Sequence, residues 1–255
     1  MAHPLGLFAW VDVSVPDLEA GVRFYEQVFG WESRAIEGGG PYRLFRKDGK
    51  VAAGLGEFSA EEVARGMPPS WSAYVLTHDV EATAARAAHL GGRVTVPPTS
   101  IPSTGAFAFI EDPTGATLGL WQPAEFGGAD EFNDPGFLCW NELATRDVPA
   151  AVAFYDALFP EWILDRLDEG PSQYTMVKVE GRDNAGIFDM SETMPDRVAP
   201  HWSVVISVES MTAAIARVRR AGGKVVGDLH HTGFGPIADV VDPFGAPFRI
   251  IDMIG

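Results

Sequence analysis

One long segment of the sequence occurs twice. Residues 8–31 read FAWVDVSVPDLEAGVRFYEQVFGW, and a recognisable copy, LCWNELATRDVPAAVAFYDALFPEW, begins at residue 138. Trp10 and Trp140 hold the same place in the two copies, and further along the chain Asp112 and Asp242 keep the same spacing. A repeat this long predicts a duplicated domain, because solenoid repeats recur every roughly 20–50 residues.

Each half contains two segments that are typical of an amphipathic helix. In the first segment, Asp17 precedes Leu18, Val22, Tyr25 and Phe29, which follow the spacing of one buried helix face. An aspartate at the start of such a segment can accept hydrogen bonds from the free N–H groups of the first turn. The same pattern recurs after three further capping residues, which are Asp79, Asp147 and Ser210.

A β-like run comes before each helix, and further strand-like pieces follow it. The four leading runs are FAWVDVSV, WSAYVLT, LCWNELAT and WSVVISV. Turns separate the later pieces, such as Asp-Pro-Thr-Gly at 112–115 and Asp-Pro-Phe-Gly at 242–245. The predicted module is therefore strand–helix–strand–strand–strand and occurs four times. The fold is predicted to be α+β, with mostly antiparallel pairing inside each module.

The repeat also predicts the domain boundaries. Segment 122–136, QPAEFGGADEFNDPG, is rich in glycine, proline and acidic residues and is predicted to be a linker. The expected domains are 1–121, with modules at about 7–60 and 70–121, and 137–255, with modules at about 137–190 and 201–253.

Together these features resemble the vicinal oxygen chelate superfamily, which includes glyoxalases, bleomycin-resistance proteins and extradiol dioxygenases, and in particular its tandem glyoxalase-like proteins of actinobacteria. The resemblance covers nearly the whole chain apart from the linker. It rests on PDLEAGVRFYEQVFGW, RDVPAAVAFYDALFPEW, DPTGATLGLW and DPFGAPFRII. It implies four βαβββ modules that form two tandem glyoxalase-like domains, each an open, cup-shaped mixed sheet with the ligand site in its concavity.

Metal-using members of this superfamily take ligands from the first strand of each module, usually histidine, and from the last, usually glutamate. In this chain the resemblance puts those positions at Trp10, Ser72, Trp140, Ser203, Gly119 and Arg249. Tryptophan and glycine side chains donate no ligand and arginine repels a cation, whereas a transition metal needs several converging donors. The adjacent His230 and His231 point to opposite faces of a strand and cannot both bind one ion. We therefore expect no metal and no cofactor.

Strand alternation predicts what lines the two cups instead. Trp10 shares its face with Asp12, and Trp140 with Glu142, so each cup would present an indole beside a carboxylate. An indole stacks on flat or sugar-like ligands, while a carboxylate can orient a hydroxyl or ammonium group, or act as a base if its pKa is raised. Asp12 and Glu142 are the candidate catalytic residues. Alternatively, the indoles fill the vacated metal cavity and the carboxylates cap backbone groups or pair with arginine.

Three further residues complete the candidate site. Tyr42 and Tyr174 begin matching strands and could add hydrogen bonds, and Arg249 could bind an anionic group or pair with Glu142. The candidate ligand-binding residues are therefore Trp10, Asp12, Tyr42, Trp140, Glu142, Tyr174 and Arg249.

Three functions follow from this interpretation. The first is a metal-free protein that binds a small, partly aromatic metabolite or antibiotic. The second is a metal-independent enzyme of secondary metabolism, an isomerase, lyase or hydroxylase-associated protein, with Asp12 or Glu142 as general base. The third, a metal-dependent glyoxalase or dioxygenase, needs ligands that the matched positions lack.

Charge and composition restrict the partners. A formal net charge of −16 argues against nucleic acid, which requires a concentrated basic surface. No apolar run approaches the roughly 18 residues of a membrane-spanning helix, and the N-terminus lacks a signal-type segment. A single cysteine, Cys139, excludes an internal disulfide. We expect a cytoplasmic monomer or homodimer with a small-molecule ligand.

Overall fold

The computed structural model describes residues 3–36, 40–167 and 174–253. The helices are α1 Leu18–Phe29, α2 Ala60–Ala64, α3 Val80–His89, α4 Val148–Leu158 and α5 Met211–Arg220. The strands are β1 Phe8–Val15, β2 Glu32–Ala35, β3 Tyr42–Lys47, β4 Lys50–Glu57, β5 Ser70–Leu76, β6 Arg93–Ile101, β7 Gly105–Glu111, β8 Thr117–Pro123, β9 Leu138–Thr145, β10 Trp162–Leu167, β11 Tyr174–Val179, β12 Arg182–Asp189, β13 His201–Ser207, β14 Lys224–Thr232, β15 Gly235–Val241 and β16 Pro247–Ile251. No helix in these ranges is both long enough and apolar enough to cross a bilayer.

The predicted module is confirmed four times. A strand, a helix and three strands follow one another in β1–β4 with α1, β5–β8 with α3, β9–β12 with α4, and β13–β16 with α5. The short helix α2 lies between the first two modules. The fold is therefore α+β, as the sequence indicates.

The strands form two eight-stranded mixed sheets. Their orders are β2-β3-β4-β1-β5-β8-β7-β6 and β10-β11-β12-β9-β13-β16-β15-β14. Within a module the last three strands pair antiparallel, while the first strand pairs in parallel with the last, as β1 does with β4 and β9 with β12. Neither order returns to its starting strand, so both sheets are open.

The four longer helices begin directly after the predicted capping residues. Asp17 accepts a hydrogen bond from Ala20 N at 2.9 Å, and Asp79 and Asp147 accept the equivalent bonds at 2.9 and 3.0 Å. Ser210 accepts the corresponding bond at 3.4 Å. These bonds span only three residues, so the local sequence is enough to predict where each helix starts.

The chain divides into two compact units. One unit contains the residues up to 10, together with 73–128 and 140–203. The other contains 11–72, 129–139 and the residues from 204 onward. The first unit thus takes its strands and helices mainly from modules two and three, and the second from modules one and four.

A helix pair lies inside each unit. In the first unit, Arg86 of α3 donates to the Leu158 carbonyl at the end of α4 at 3.2 Å. In the second unit, Arg217 of α5 donates to the Val28 carbonyl of α1 at 2.7 Å. The aromatic residues of α1 and the α4 region are buried, namely Phe24, Tyr25, Phe29, Phe154, Tyr155 and Phe159.

The segment predicted as a linker is hydrogen-bonded to the folded structure. Trp121 Nε1 donates to the Phe126 carbonyl at 3.0 Å in the first unit. In the second unit, Val51 N donates to Asp130 Oδ2 at 2.7 Å, and Trp31 Nε1 donates to the Gly136 carbonyl at 2.8 Å. Each part of the segment is therefore fixed within its own unit, and the domain boundaries themselves stay a prediction.

Candidate functional site

A chain of hydrogen bonds joins three predicted ligand-binding residues in the first unit. Trp140 Nε1 donates to the Tyr174 hydroxyl at 3.1 Å, and that hydroxyl donates to Glu142 Oε1 at 2.8 Å. All three side chains are partly exposed. Because an indole N–H can only donate and a carboxylate can only accept, the direction of the chain is fixed. We refer to these three residues as the Trp140 site.

The strands explain how these side chains meet. On β9, Trp140 and Glu142 lie on the partly exposed face. Asn141, which lies between them, and Leu143, which follows them, are on the other face and are buried. Gly186 of β12 lies directly opposite Glu142. A Cβ atom on Gly186 would overlap the Tyr174 hydroxyl. The glycine therefore leaves the space in which the phenol reaches the carboxylate.

The second unit contains a similar tyrosine–carboxylate pair. The Tyr42 hydroxyl donates to Asp12 Oδ2 at 2.9 Å, and both side chains are partly exposed. Gly56 lies opposite Tyr42, and its added Cβ would be 3.3 Å from the ring. The repeat thus reproduces the tyrosine–carboxylate pair, with an aspartate in place of the glutamate. Its role in ligand binding stays a prediction.

Trp10 is more enclosed than Trp140. Only 4% of Trp10 is exposed, and its ring meets Phe126 edge-on with the centroids 4.9 Å apart. Trp140 keeps a partly exposed ring. The two indoles therefore occupy the same repeat position in different surroundings, and stacking of a ligand on Trp10 stays a prediction.

Arg249 contacts a residue that the sequence did not single out. Its Nε donates to Asp239 Oδ1 at 2.7 Å across the β15–β16 pair, in which the two residues lie opposite each other. The other oxygen of Asp239 lies 3.4 Å from His230 Nε2. Part of the positive charge of Arg249 is thus already neutralised by a neighbouring strand. The predicted anion binding and the pairing with Glu142 stay predictions.

The family profile of the Glyoxalase/Bleomycin resistance protein/Dioxygenase superfamily matches residues 7–120 and 138–250. The chain belongs to this superfamily. The two matched ranges agree with the duplication in the sequence, and the predicted resemblance is confirmed.

Similar proteins include two curated relatives. The chain is 33% identical over 246 residues to "Putative glyoxylase CFP32" of Mycobacterium tuberculosis, a match that covers 95% of this chain and 93% of the relative. It is 31% identical over 262 residues to "Anthracycline biosynthesis protein DauV" of Streptomyces sp. (strain C5), with 97% and 94% coverage. Among solved structures, the Mn(II)-bound glyoxalase from Novosphingobium aromaticivorans has a TM-score of 0.64 at 15% identity, covering 97% of this chain and 85% of that one. At this identity the structural likeness shows the fold alone.

Two of the positions that the resemblance assigns to metal ligands have other contacts in the structure. At the last-strand position Gly119, an added side chain would overlap the ring of Tyr74, which lies opposite it on β5. Trp140, at a first-strand position, already donates its only polar hydrogen to Tyr174. No group of three histidine, cysteine or acidic side chains within the described ranges could hold an ion. A divalent metal needs such a converging set of donors.

The sequence did not predict a buried hydrogen-bond chain in the second unit. Trp71 Nε1 donates to the Tyr25 hydroxyl at 3.1 Å, and that hydroxyl donates to Asp242 Oδ2 at 2.9 Å. The three residues are buried. Burial raises the pKa of the Tyr25 hydroxyl well above its usual value, so the group stays protonated and remains a donor.

The first unit repeats this arrangement. Trp202 Nε1 donates to the Tyr155 hydroxyl at 2.9 Å, and Tyr155 donates to Asp112 Oδ2 at 2.9 Å. Trp202 is a buried packing residue, and its N–H also has a partner. A usable signal was present in the sequence, because the tryptophan, the tyrosine and the turn aspartate all recur in both halves.

The buried aspartate predicts a pH dependence of stability. Burial raises the pKa of the Asp242 carboxyl above its ordinary value, although hydrogen bonds from Ala246 N and Tyr25 oppose the shift. The pKa of Asp242 is therefore higher in the folded than in the unfolded state. The stability that this difference contributes is complete below about pH 4 and is lost as pH rises through the folded-state pKa. Asp242→Asn cannot ionise. We therefore expect the unfolding free energy of wild type minus that of the variant to fall as pH rises from about 3.5 to about 7 in urea titrations. A difference independent of pH would contradict this.

Proposed function

We propose that this superfamily member binds a small, partly aromatic metabolite or antibiotic at the Trp140 site without a metal ion. The observation that carries the proposal is the partly exposed chain from the Trp140 indole through the Tyr174 hydroxyl to the Glu142 carboxylate. It offers one ligand an aromatic surface and a negative charge on β9 and a hydroxyl group on β11, the strands on either side of β12.

The chemistry of these groups defines the ligand class. Indole and phenol rings attract flat rings through offset or edge contacts. Glu142 accepts hydrogen bonds, so it favours a hydroxyl or ammonium group on the ligand. The name of one relative refers to anthracycline biosynthesis, and an anthracycline combines flat hydroxylated rings with an amino sugar. That combination matches the proposed site.

Binding can be tested with 1,8-dihydroxyanthraquinone, a flat probe that carries two hydroxyl groups. We expect wild type to bind it in calorimetric titrations, and Glu142→Gln and Trp140→Ala to weaken binding by about tenfold or more, because each removes a direct contact. Glu125→Gln serves as the charge-matched control, since Glu125 is exposed and lies outside the site. No binding by wild type, or unchanged binding by Glu142→Gln, would contradict the proposal.

The tyrosine–carboxylate pairs favour a second candidate, a metal-independent enzyme with Glu142 or Asp12 as general base. In both pairs a phenol holds a partly exposed carboxylate in one orientation, which suits proton transfer to or from a bound substrate. In that case Glu142→Gln should abolish turnover while sparing substrate binding. Loss of binding would favour the first candidate instead. Stoichiometric zinc, nickel, manganese or iron in the purified protein would contradict both.

A further inference from the structure

The segment between β12 and β13 contributes an apolar surface beside the Trp140 site. It runs from residue 190 to residue 200, within the first unit. Its residues Met194 and Val198, together with Tyr174, pack against a buried cluster that consists of Ala144, Phe188 and Met190. Met194, Val198 and Tyr174 are all only partly buried. Tyr174 therefore carries a hydrogen-bonding function at its hydroxyl and an apolar contact along its ring.

One arginine fastens this segment to the sheet. Arg146 Nη1 donates to the Val198 carbonyl at 2.7 Å, and Nη2 donates to the Pro195 carbonyl at 2.8 Å. Arg146 follows the last residue of β9, the strand that carries Trp140. A planar guanidinium can hold two carbonyls at a fixed separation, which a lysine cannot do. The equivalent residue in the first half is Pro16, which has no such donor.

A second difference between the halves concerns the residue opposite the site tyrosine. Phe188 lies opposite Tyr174 on β12, whereas Gly56 lies opposite Tyr42 on β4. Phe188 is 9% exposed and belongs to the apolar cluster. Phe188 places a ring at a position where the first half, with Gly56, has no side chain. The apolar packing of Phe188 beside Tyr174 thus has no counterpart from a side chain at Gly56.

We infer that Phe188, Met194 and Val198 form the apolar wall of the Trp140 site and determine its ligand specificity. The preferred ligand carries a hydroxyl or amino group for Glu142 and, adjoining it, a fused ring or alkyl portion that lies against Met194 and Val198. Arg146 is a positioning residue that holds the wall in place. This inference rests on the proposed function and adds the requirement for an extended apolar portion.

The test compares a large and a small probe on matched variants. 1,8-Dihydroxyanthraquinone has three fused rings, whereas catechol has the hydroxyl groups on a single ring. We expect Met194→Ala/Val198→Ala to weaken anthraquinone binding by about tenfold, because the apolar contacts between these two side chains and the fused rings of the probe are lost. Catechol binding, followed by NMR titration, should change less than about twofold.

The first half supplies the matched control. Val63→Ala/Met67→Ala removes the same two residue types from the segment between β4 and β5, where both side chains are exposed. It should leave the binding of both probes unchanged. If the Met194/Val198 variant weakened the binding of both probes equally, or of neither, the inference of an apolar wall would be overturned and the proposed function would remain in place. Failure of wild type to bind either probe would overturn both.

The role of Arg146 can be measured without a ligand. The Met194 amide donates to the Met190 carbonyl at 2.9 Å, and the Val198 amide donates to the Pro195 carbonyl at 2.9 Å. We expect Arg146→Met to speed hydrogen exchange of these amides by about tenfold, because two charge-assisted bonds that close the segment are lost. Arg197→Met, at an exposed position of the same segment, is the control. Unchanged exchange in Arg146→Met would overturn its positioning role.

Discussion

Tyr155→Phe is expected to lower the free energy of unfolding by about 2–4 kcal/mol. The Tyr155 hydroxyl accepts from Trp202 Nε1 and donates to Asp112 Oδ2, each at 2.9 Å, and all three residues are buried. Phenylalanine keeps the ring packing but leaves an indole N–H and a carboxylate oxygen without this partner. Their desolvation is then no longer offset. Urea unfolding at neutral pH measures the change.

Two variants test whether burial causes this effect. Tyr25→Phe breaks the equivalent buried chain of the second unit, so we expect a loss of similar size. Tyr42→Phe also removes a tyrosine–carboxylate bond, but that pair is partly exposed, and its loss should cost less than about 1 kcal/mol. Equal losses in all three variants would show that burial is not the deciding factor.

Gly186→Ala is expected to weaken the binding of 1,8-dihydroxyanthraquinone by more than about tenfold while leaving the fold intact. The new methyl group would overlap the Tyr174 hydroxyl, which must then move. That movement breaks the bonds to Trp140 and Glu142. The backbone φ of Gly186 lies outside the left-handed region, so alanine adds no backbone strain. Calorimetric titration gives the affinity, and circular dichroism reports the fold.

Gly56→Ala, which adds a methyl group beside the tyrosine of the other tyrosine–carboxylate pair, is the control for this prediction. Its methyl group would lie 3.3 Å from the Tyr42 ring, a tight contact that a small rotation of the ring relieves. We expect probe binding to stay within about twofold of wild type. Unchanged binding in Gly186→Ala would mean that the position of Tyr174 does not control the site, and the proposed function would lose its main support.

Features that depend on neighbouring residues were predicted correctly. The caps Asp17, Asp79 and Asp147 each accept a bond from a residue three positions further along the chain, so the sequence contains both partners of every bond. The same reasoning applies to the shared face of Trp140 and Glu142, because side chains alternate along any strand.

The candidate site was predicted only in part. Trp140, Glu142 and Tyr174 were all singled out, but the sequence did not reveal that one hydroxyl joins the other two. That contact requires β11 to pair with β12, and β12 with β9, in a particular register. It also requires the space above Gly186. Register is a property of the assembled sheet, and a shift of one residue would turn every side chain to the opposite face.

The sequence by itself determined the duplication, the four modules and their helix caps, because each depends on periodicity or on bonds between near neighbours. The tertiary structure alone decided that Tyr25 meets Asp242 and that Arg249 meets Asp239. Tyr25 and Asp242 are 217 residues apart, and each also satisfies a local pattern, the buried helix face and the tight turn, without the other. A local sequence pattern predicts the secondary structure around a residue. Only the folded chain determines which distant residue is the hydrogen-bond partner of a buried polar group.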